Sequence, residues 1–369
     1  MNSIWKVAEQ FSPNQQIADL REHGNGNIND TYLVTVDSQG QDQFILQRIN
    51  THVFRYPKLI IENLRQYTGH VDQKLGTQNN GHRRWDVPHI RPTWREEDFF
   101  TDEDGAFWRA ITFVNHSRSY DTVQSANHAR ETGYALGRFH NLVSDLSTEK
   151  MHDTLVGFHI MPHYLRQYDQ VMAHGPQGID SPEVRYCHRM IVERRDWAAV
   201  LENAKETGTL PLRTIHGDPK INNIMISNET GQAVSVIDLD TVKPGLVHYD
   251  IGDCLRSSCN PLGEDTLDFD NVHFETDLAR AILEGYLSVA NEFLTENDYV
   301  YLYDAIRLLT FELGVRFFQD YLAGNVYFKV RHPEHSLERA VVQFKLTESI
   351  ETQESTIRKI VADFKPILV

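Results

Sequence analysis

The chain has 369 residues and carries 52 acidic against 36 basic side chains, a formal net charge of −16. That length can bury two sizeable cores, and the acidic balance argues against nucleic acid or an anionic membrane as the main partner. Three cysteines, Cys187, Cys254 and Cys259, are an odd number in a long chain and point to free thiols in a reducing cytoplasm.

The first residues interrupt their apolar stretch with Lys6 and Glu9 and read as a short amphipathic helix, neither signal peptide nor membrane span. Residues 23–34, His-Gly-Asn-Gly-Asn-Ile-Asn-Asp-Thr-Tyr-Leu-Val, place glycines between two β-like segments, where backbone N–H groups can approach phosphate oxygens. A second strand follows at residues 44–49. Side chains alternate along it, so Gln47 and Arg48 face opposite ways, and the residues leave open which one is inward. Residues 54–70 read as a helix with Leu59, Ile60, Leu64 and Tyr67 on one side and Glu62 on it; residues 71–90 read as a loop. Residues 108–114 form a strand, followed by Asn115-His116-Ser117-Arg118. From Asp121, a candidate cap, a helix is expected to about residue 146, then two helices over 162–206, broken near 175–182. His159 and His163, four apart, lack an acidic residue at a matching offset and read as surface or packing histidines, not zinc ligands.

Residues 212–253 hold the densest chemistry. Two short apolar strands each end in a polar burst: His216-Gly217-Asp218-Pro219-Lys220-Ile221-Asn222-Asn223, then Asp238-Leu239-Asp240. A hairpin between them can gather Asp218, Asn223 and Asp238 around one small volume. Phosphoryl transfer needs such a set, because its catalysis is positioning plus neutralisation of phosphate charge. One carboxylate takes the proton of the attacking hydroxyl, and an amide oxygen and a second carboxylate suit a hard ion such as Mg²⁺. Asp218 fits the base, Asn223 and Asp238 the metal ligands, and Lys220 a point charge toward the transferred phosphate. If the strand continued past Asp238, Asp240 would point to the same side as a second metal ligand; it equally fits a turn. His216 reads as scaffold and Asp250 as a helix cap that braces the loop. Residues 276–325 read as two long helices and 336–358 as a last one, with no internal repeat.

His-x-Asp-x4-Asn followed by Ile-Asp-Leu-Asp resembles the aminoglycoside phosphotransferase and choline kinase group of small-molecule kinases. The resemblance implies an α+β, protein-kinase-like two-lobe fold: a small β-rich N-lobe (1–115) and a larger helical C-lobe (116–369). It implies ATP as co-substrate with Mg²⁺, a nucleotide site built from Gly24, Gly26, Asn27, Asn29 and Thr31, and a hinge near residues 115–118 that meets adenine. The pattern expects a lysine near the end of the second strand. Here Arg48 would supply that charge if it faced the cleft, with Glu62 as the carboxylate that holds it.

Three further stretches look together like the N-acetylhexosamine 1-kinases: Gly-x-Ile-Asn-x-Thr-Tyr, Leu-Gln-Arg-Ile-Asn, and Arg-Phe-x2-Asp-Tyr-Leu-x-Gly-x2-Tyr-Phe-Lys. They imply transfer to the anomeric hydroxyl of GlcNAc or GalNAc, with Asp218, Arg316 and Tyr327 meeting the sugar. Asn325 departs from the expected Asp and sits where it can tune the pocket. Alternatively Arg316 pairs with Glu312 on its own helix. Other acceptors of the same fold are choline, homoserine, methylthioribose and aminoglycosides. A pseudokinase is the rival from another class, opposed by the intact Asp218, Asn223 and Asp238. A monomer or weak homodimer is expected.

Overall fold

The computed structural model describes residues 3–13, 15–24, 28–37, 42–77, 83–173 and 180–365. Helix α1 (Ser3–Gln10) precedes three consecutive antiparallel strands, β1 (Ile17–Glu22), β2 (Asp30–Val36) and β3 (Asp42–Ile49). Helix α2 (Pro57–Thr77) follows, then β4 (Ile90–Arg91), β5 (Phe100–Thr101) and β6 (Phe107–Thr112), which joins β3 on one side and β4 and β5 on the other. Val34, Phe44, Leu46, Trp108 and Ala110 bury one face of this sheet under Val7, Ala8 and Phe11. On the other side Ile49 and Phe107 meet Ile60, Ile61, Leu64, Tyr67 and Val71 of α2. Each such side chain contributes about 1.5–3 kcal/mol on burial. Helix α2 extends past the expected residue 70, since Val71 is fully buried in this cluster. β1 is the β-like segment that precedes the glycine loop.

The chain leaves the sheet through β7 (Ser117–Arg118), which pairs with the later hairpin strand at Ser227 and Ile226. Helix α3 (Ala126–Val143) starts later than expected because Ser125, not Asp121, caps it: Ser125 Oγ accepts the His128 N–H at 3.1 Å. The stretch over 162–206 holds α4 (Met161–Ala173), α5 (Pro182–Arg194) and a short α6 (Val200–Glu206). Next come β8 (Arg213–Ile215), the hairpin β9 (Ile224–Ser227) and β10 (Ala233–Val236), β11 (Lys243–Gly245), and α7 (Val247–Ser258). The rest is helical: α8 (Thr276–Ala290), α9 (Glu296–Val300), α10 (Leu302–Leu322), α11 (His335–Thr352) and α12 (Glu354–Phe364). The single last helix expected over 336–358 is therefore two.

Helices α3 and α8 cross with almost no gap. A Cβ on Gly133, Gly137 or Gly285 would run into the backbone of Ile282, Tyr286 or Arg130. Phe311, Phe318 and Phe344 fill the centre of the helical lobe. The architecture is mixed α+β, a β-rich N-terminal part followed by a helical C-terminal part, and apolar residues of β9 and β10 share one cluster with α2 and α3. No described helix is long and apolar enough to cross a membrane, and the three cysteines are buried and unpaired.

Candidate active site

β8 and β11 pair antiparallel, Ile215 opposite Lys243, and hold the two ends of the polar segment together. Just after β8 the chain turns at Gly217, φ +88°, where a Cβ would strike the Thr241 carbonyl oxygen. The Asp250 carboxylate, wholly buried, accepts the N–H groups of His216 at 2.7 Å and Gly217 at 2.8 Å, and lies 2.8 Å from His140 Nε2. Asp250 sits inside the first turn of α7, whose N-cap is Leu246, so it braces the loop without capping the helix. His216 is buried, and its burial lowers the imidazole pKa. A neutral ring explains both its contacts: Nε2–H donates to the Ile237 carbonyl at 2.9 Å, and Nδ1 accepts the Asp218 N–H at 3.3 Å. With its backbone pinned from three sides, Asp218 keeps a partly open carboxylate, 3.0 Å from Lys220 Nζ. That carboxylate is the main cause that raises the Lys220 pKa and keeps the ammonium charged.

Asn223 donates its Nδ2 to the Asp218 carbonyl at 2.8 Å, which turns Oδ1 away from that bond. Asp238 does not continue the β10 strand. It is left-handed, φ 63° and ψ 59°, and starts a single turn over Leu239–Thr241. The same-side argument for Asp240 therefore fails. The Asp240 carboxylate is buried, ion-paired with Arg109 and bonded by Asn29 Nδ2 at 2.6 Å, so both its oxygens are occupied. These contacts tie Asp240 into the fold as an anchor between β6 and the Asn29 segment. Among the described residues no hydrogen bond or ion pair reaches the Asp238 carboxylate. The Asp238 side chain is exposed at the cleft; its partly desolvated surroundings, with Asp240 and Asp218 nearby, raise its pKa to about 7 against the opposing pull of Lys220 and Arg109. An exposed carboxylate left without a partner in the fold, together with Asn223 Oδ1, makes a hard two-oxygen set that would suit Mg²⁺, an ion that keeps phosphate and water as its other ligands. No group of three or more His, Cys, Asp or Glu among the described residues is arranged to hold a metal alone.

The sheet decides between Gln47 and Arg48. Phe44 and Leu46 are buried under α1, so by alternation Arg48 shares their face and Gln47 faces α2 and the lobe junction. Arg48 is 50% exposed and lies 3.9 Å from Asp30. Glu62 pairs instead with His152 at 3.0 Å, both largely exposed. The expected Arg48–Glu62 pair does not form. Sequence reasoning missed Arg109, directly opposite Gln47 in the register of β3 and β6. Arg109 is 1% exposed and donates Nε and Nη2 to Gln47 Oε1 at 3.0 and 2.7 Å. The available signal was a lone cation inside an apolar strand, with an unpaired acidic residue elsewhere to meet it.

In the glycine loop, Gly24 is left-handed at φ 76°, while Gly26 and Asn27 lie outside the described residues. The side chains of Asn29 and Thr31 are engaged within the fold, with Asp240 and Gln47 respectively. At the hinge, the carbonyls of Val114, Asn115 and His116 already accept from Ser117 Oγ, Arg84 and the Asn228 N–H.

Arg316 and Tyr327 line one cavity of about 330 Å³, with Phe158, Tyr164, Gln319 and Phe328 among its walls. The guanidinium carbon lies 4.9 Å from the Phe158 ring centre, 5.3 Å from Tyr164, 5.5 Å from Phe328 and 6.0 Å from Tyr327. No carboxylate pairs with Arg316 among the described residues. Glu312 is bound to His159 at 2.9 Å, so the alternative Arg316–Glu312 pair is absent. Burial works to lower the Arg316 pKa, but Tyr164, Tyr327, Glu312 and Asp218 outweigh it and raise it. Among the described residues of the wall only Asp320 is acidic, and it accepts the N–H groups of Tyr327 and Phe328 at 2.8 and 3.0 Å. Asn325 is not in the wall: it occupies a left-handed turn, φ 58°, and donates Nδ2 to the Pro333 carbonyl at 2.8 Å. The cavity is tied to the loop of Asp218. His159, at φ 65° and not on a helix, bridges Glu312 on α10 and the Gly217 carbonyl, 2.7 Å away. Lys243 Nζ donates to Asp153 and to the carbonyls of Leu155 and Phe158 in the cavity wall.

The fold has relatives of known structure. The microcompartment-associated aminopropanol kinase superposes with a TM-score of 0.64 at 14% identity, covering 96% of this chain and 98% of that one. Choline kinase from Cryptosporidium parvum gives 0.59 at 13%, covering 93% and 91%. An aminoglycoside phosphotransferase solved as a ternary complex with AMP-PNP and hygromycin B gives 0.52 at 11%, covering 96% and 99%. These likenesses establish the fold. The model of the phosphotransferase enzyme family matches residues 19–289, most of the 369-residue chain, and the chain belongs to that family.

Proposed function

We propose that this protein transfers the γ-phosphoryl group of ATP to the anomeric hydroxyl of an N-acetylhexosamine, GlcNAc or GalNAc, giving the sugar 1-phosphate. The observation that carries the choice of acceptor is the Arg316 guanidinium, which no carboxylate contacts directly among the described residues, in the cavity beside the Asp218 loop. Cationic acceptors such as choline or an aminoglycoside would meet that positive charge, and Asp320 in the wall is already satisfied by two backbone N–H groups. A neutral sugar is served by planar Arg donors, Tyr hydroxyls and aromatic faces. The related aminopropanol and choline kinases are named for amine acceptors, so the proposal separates this chain from them by cavity chemistry.

In the proposed reaction Asp218 accepts a hydrogen bond from the sugar 1-hydroxyl, aligns it with the γ-phosphorus and takes its proton. The new bond joins the anomeric oxygen to phosphorus, and the bond to the bridging oxygen breaks to release ADP. Asn223 Oδ1 and Asp238 would hold Mg²⁺, which when bound neutralises charge on the β- and γ-phosphates. Lys220, kept protonated beside Asp218, and the backbone of the 24–29 loop draw charge from the transferred group. Asp250, His216 and His140 keep the loop in place. The test is ADP release with Mg·ATP and single acceptors: GlcNAc, GalNAc, glucose, choline, homoserine and kanamycin. Turnover with an N-acetylhexosamine and none with the cations is expected. Turnover confined to choline, homoserine or kanamycin would overturn the acceptor and keep the phosphotransferase.

A further inference from the structure

Thr31, Gln47 and Arg109 form one row across β2, β3 and β6: Thr31 pairs in register with Gln47, and Gln47 with Arg109. Gln47 Nε2 donates to Thr31 at 3.2 Å and its Oε1 receives two donors of Arg109. The row delivers one cation to the lobe junction, and that cation meets Asp240. Asn29 binds the other Asp240 oxygen. The turn that carries Asp240 begins at the left-handed Asp238, and its Asp240 carbonyl accepts Thr154 Oγ1 at 2.8 Å. A non-glycine residue at positive φ persists only where its surroundings dictate it. The strongest of these surroundings is the Arg109–Asp240 pair, two charges that each need the other because both are buried. Arg109 Nη1 is buried without a partner, so the guanidinium is placed for Asp240 at the expense of its own hydrogen bonding.

We propose that Arg109 is a positioning residue for the metal–nucleotide site: by gripping Asp240 it fixes the turn from which Asp238 is presented, and so sets the Mg²⁺-dependent affinity for nucleotide without touching metal or nucleotide. The inference rests on the reading of Asp238 given above. Loss of Arg109 leaves Asp240 unpaired beside Asp238 and Asp218, and the turn must move to hydrate it or another group must neutralise it. Lysine at 109 keeps a charge but lacks the fork that reaches Gln47 and Asp240 together.

The test is calorimetric binding of the nucleotide analogue AMP-PNP, in Mg²⁺ and in EDTA, to wild type, Arg109→Lys and the double variant Arg109→Gln with Asp240→Asn. Thermal melting monitored by circular dichroism establishes that each is folded. In wild type Mg²⁺ tightens binding. Arg109→Lys should lose at least about tenfold of that tightening and stay within about twofold of wild type in EDTA, roughly the weight of one lost charge-assisted contact. The double variant, which leaves no buried charge unpaired, should recover most of the loss. An Arg109→Lys protein with the wild-type response to Mg²⁺ would overturn the inference. So would a double variant weaker than Arg109→Lys. If Arg109→Lys does not fold, Asp240→Asn decides: loss of most of the Mg²⁺ tightening with the affinity in EDTA kept supports the inference, and a wild-type response to Mg²⁺ overturns it. Wild type that binds AMP-PNP without any response to Mg²⁺ would remove the Asp238 reading itself, a result distinct from both.

Discussion

Asp250→Asn isolates the support of the catalytic loop from the chemistry on it. The substitution keeps shape and removes a charge and one acceptor. In the wild type the carboxylate takes two backbone N–H groups at 2.7 and 2.8 Å and faces His140 Nε2 at 2.8 Å, all buried. Tyr286 lies 3.0 Å from His140 Nδ1, so its hydroxyl can donate there and leave Nε2–H to donate to Asp250. An Asn oxygen in the place of Oδ2 keeps the His216 and His140 bonds. The Asn amide then faces the Gly217 N–H, donor against donor. One orphaned buried donor costs about 1–3 kcal/mol, and loss of charge assistance in the two remaining bonds costs about 1 kcal/mol each. The sum is about 3–5 kcal/mol. With about 2.1 cal/mol/K of unfolding entropy per residue, a chain of 369 residues should melt about 4–6 °C lower. Gly217 lies next to Asp218, so a displacement near 1 Å at the base should also cost kcat about a hundredfold. Differential scanning calorimetry and steady-state kinetics read the two effects. A Tm within about 1 °C of wild type together with unchanged kcat would refute the reasoning.

Three further outcomes follow from the same geometry. Asp218→Asn should lower kcat by about 10²–10⁴, the range for a general base, with ATP affinity by calorimetry little changed; near-wild-type turnover would remove Asp218 from the chemistry. Arg316→Lys keeps charge but loses planar donors, and should raise acceptor KM about tenfold or more while ATP KM stays within about twofold; a matched rise in ATP KM would place Arg316 elsewhere. For His159, burial alone lowers the pKa, but Glu312, with help from Asp253 and the Gly217 carbonyl, brings it above the ordinary 6.5. A raised folded-state pKa means stability present below about pH 6.5 and lost as pH rises through the folded value. The Tm difference between wild type and Glu312→Gln should therefore be larger at pH 5.5 than at pH 8.5. An equal or inverted difference contradicts a charged His159–Glu312 pair.

The hairpin between His216 and Asp238 was legible because its strands β9 and β10 are neighbours in sequence and pair antiparallel. Helix α3 was legible in its apolar spacing but not in its start, since Asp121 and Ser125 are both capping types and only the His128 N–H distinguishes them. Gln47 and Arg48 could not be separated because the apolar residues of β3 fall on both faces, Phe44 and Leu46 under α1 and Ile49 toward α2. Arg109 and Asp240 are 131 residues apart, and no periodicity links them. Of the two readings of Asp240, strand or turn, the structure shows the turn. Alternation holds only while a strand continues, and Asp238 breaks it with a left-handed residue. The role of His159 is tertiary as well, fixed by a carbonyl of the catalytic loop and a carboxylate on α10.

The central claim is transfer of a phosphoryl group to the anomeric oxygen of a neutral N-acetylated sugar. The most direct measurement is the phosphorus NMR spectrum of the product formed from Mg·ATP and GlcNAc or GalNAc. The account predicts a phosphomonoester resonance coupled to the anomeric proton, absent when Asp218→Asn replaces the wild type. A phosphate coupled to the C6 protons, or ADP formed with no sugar phosphate at all, would contradict it.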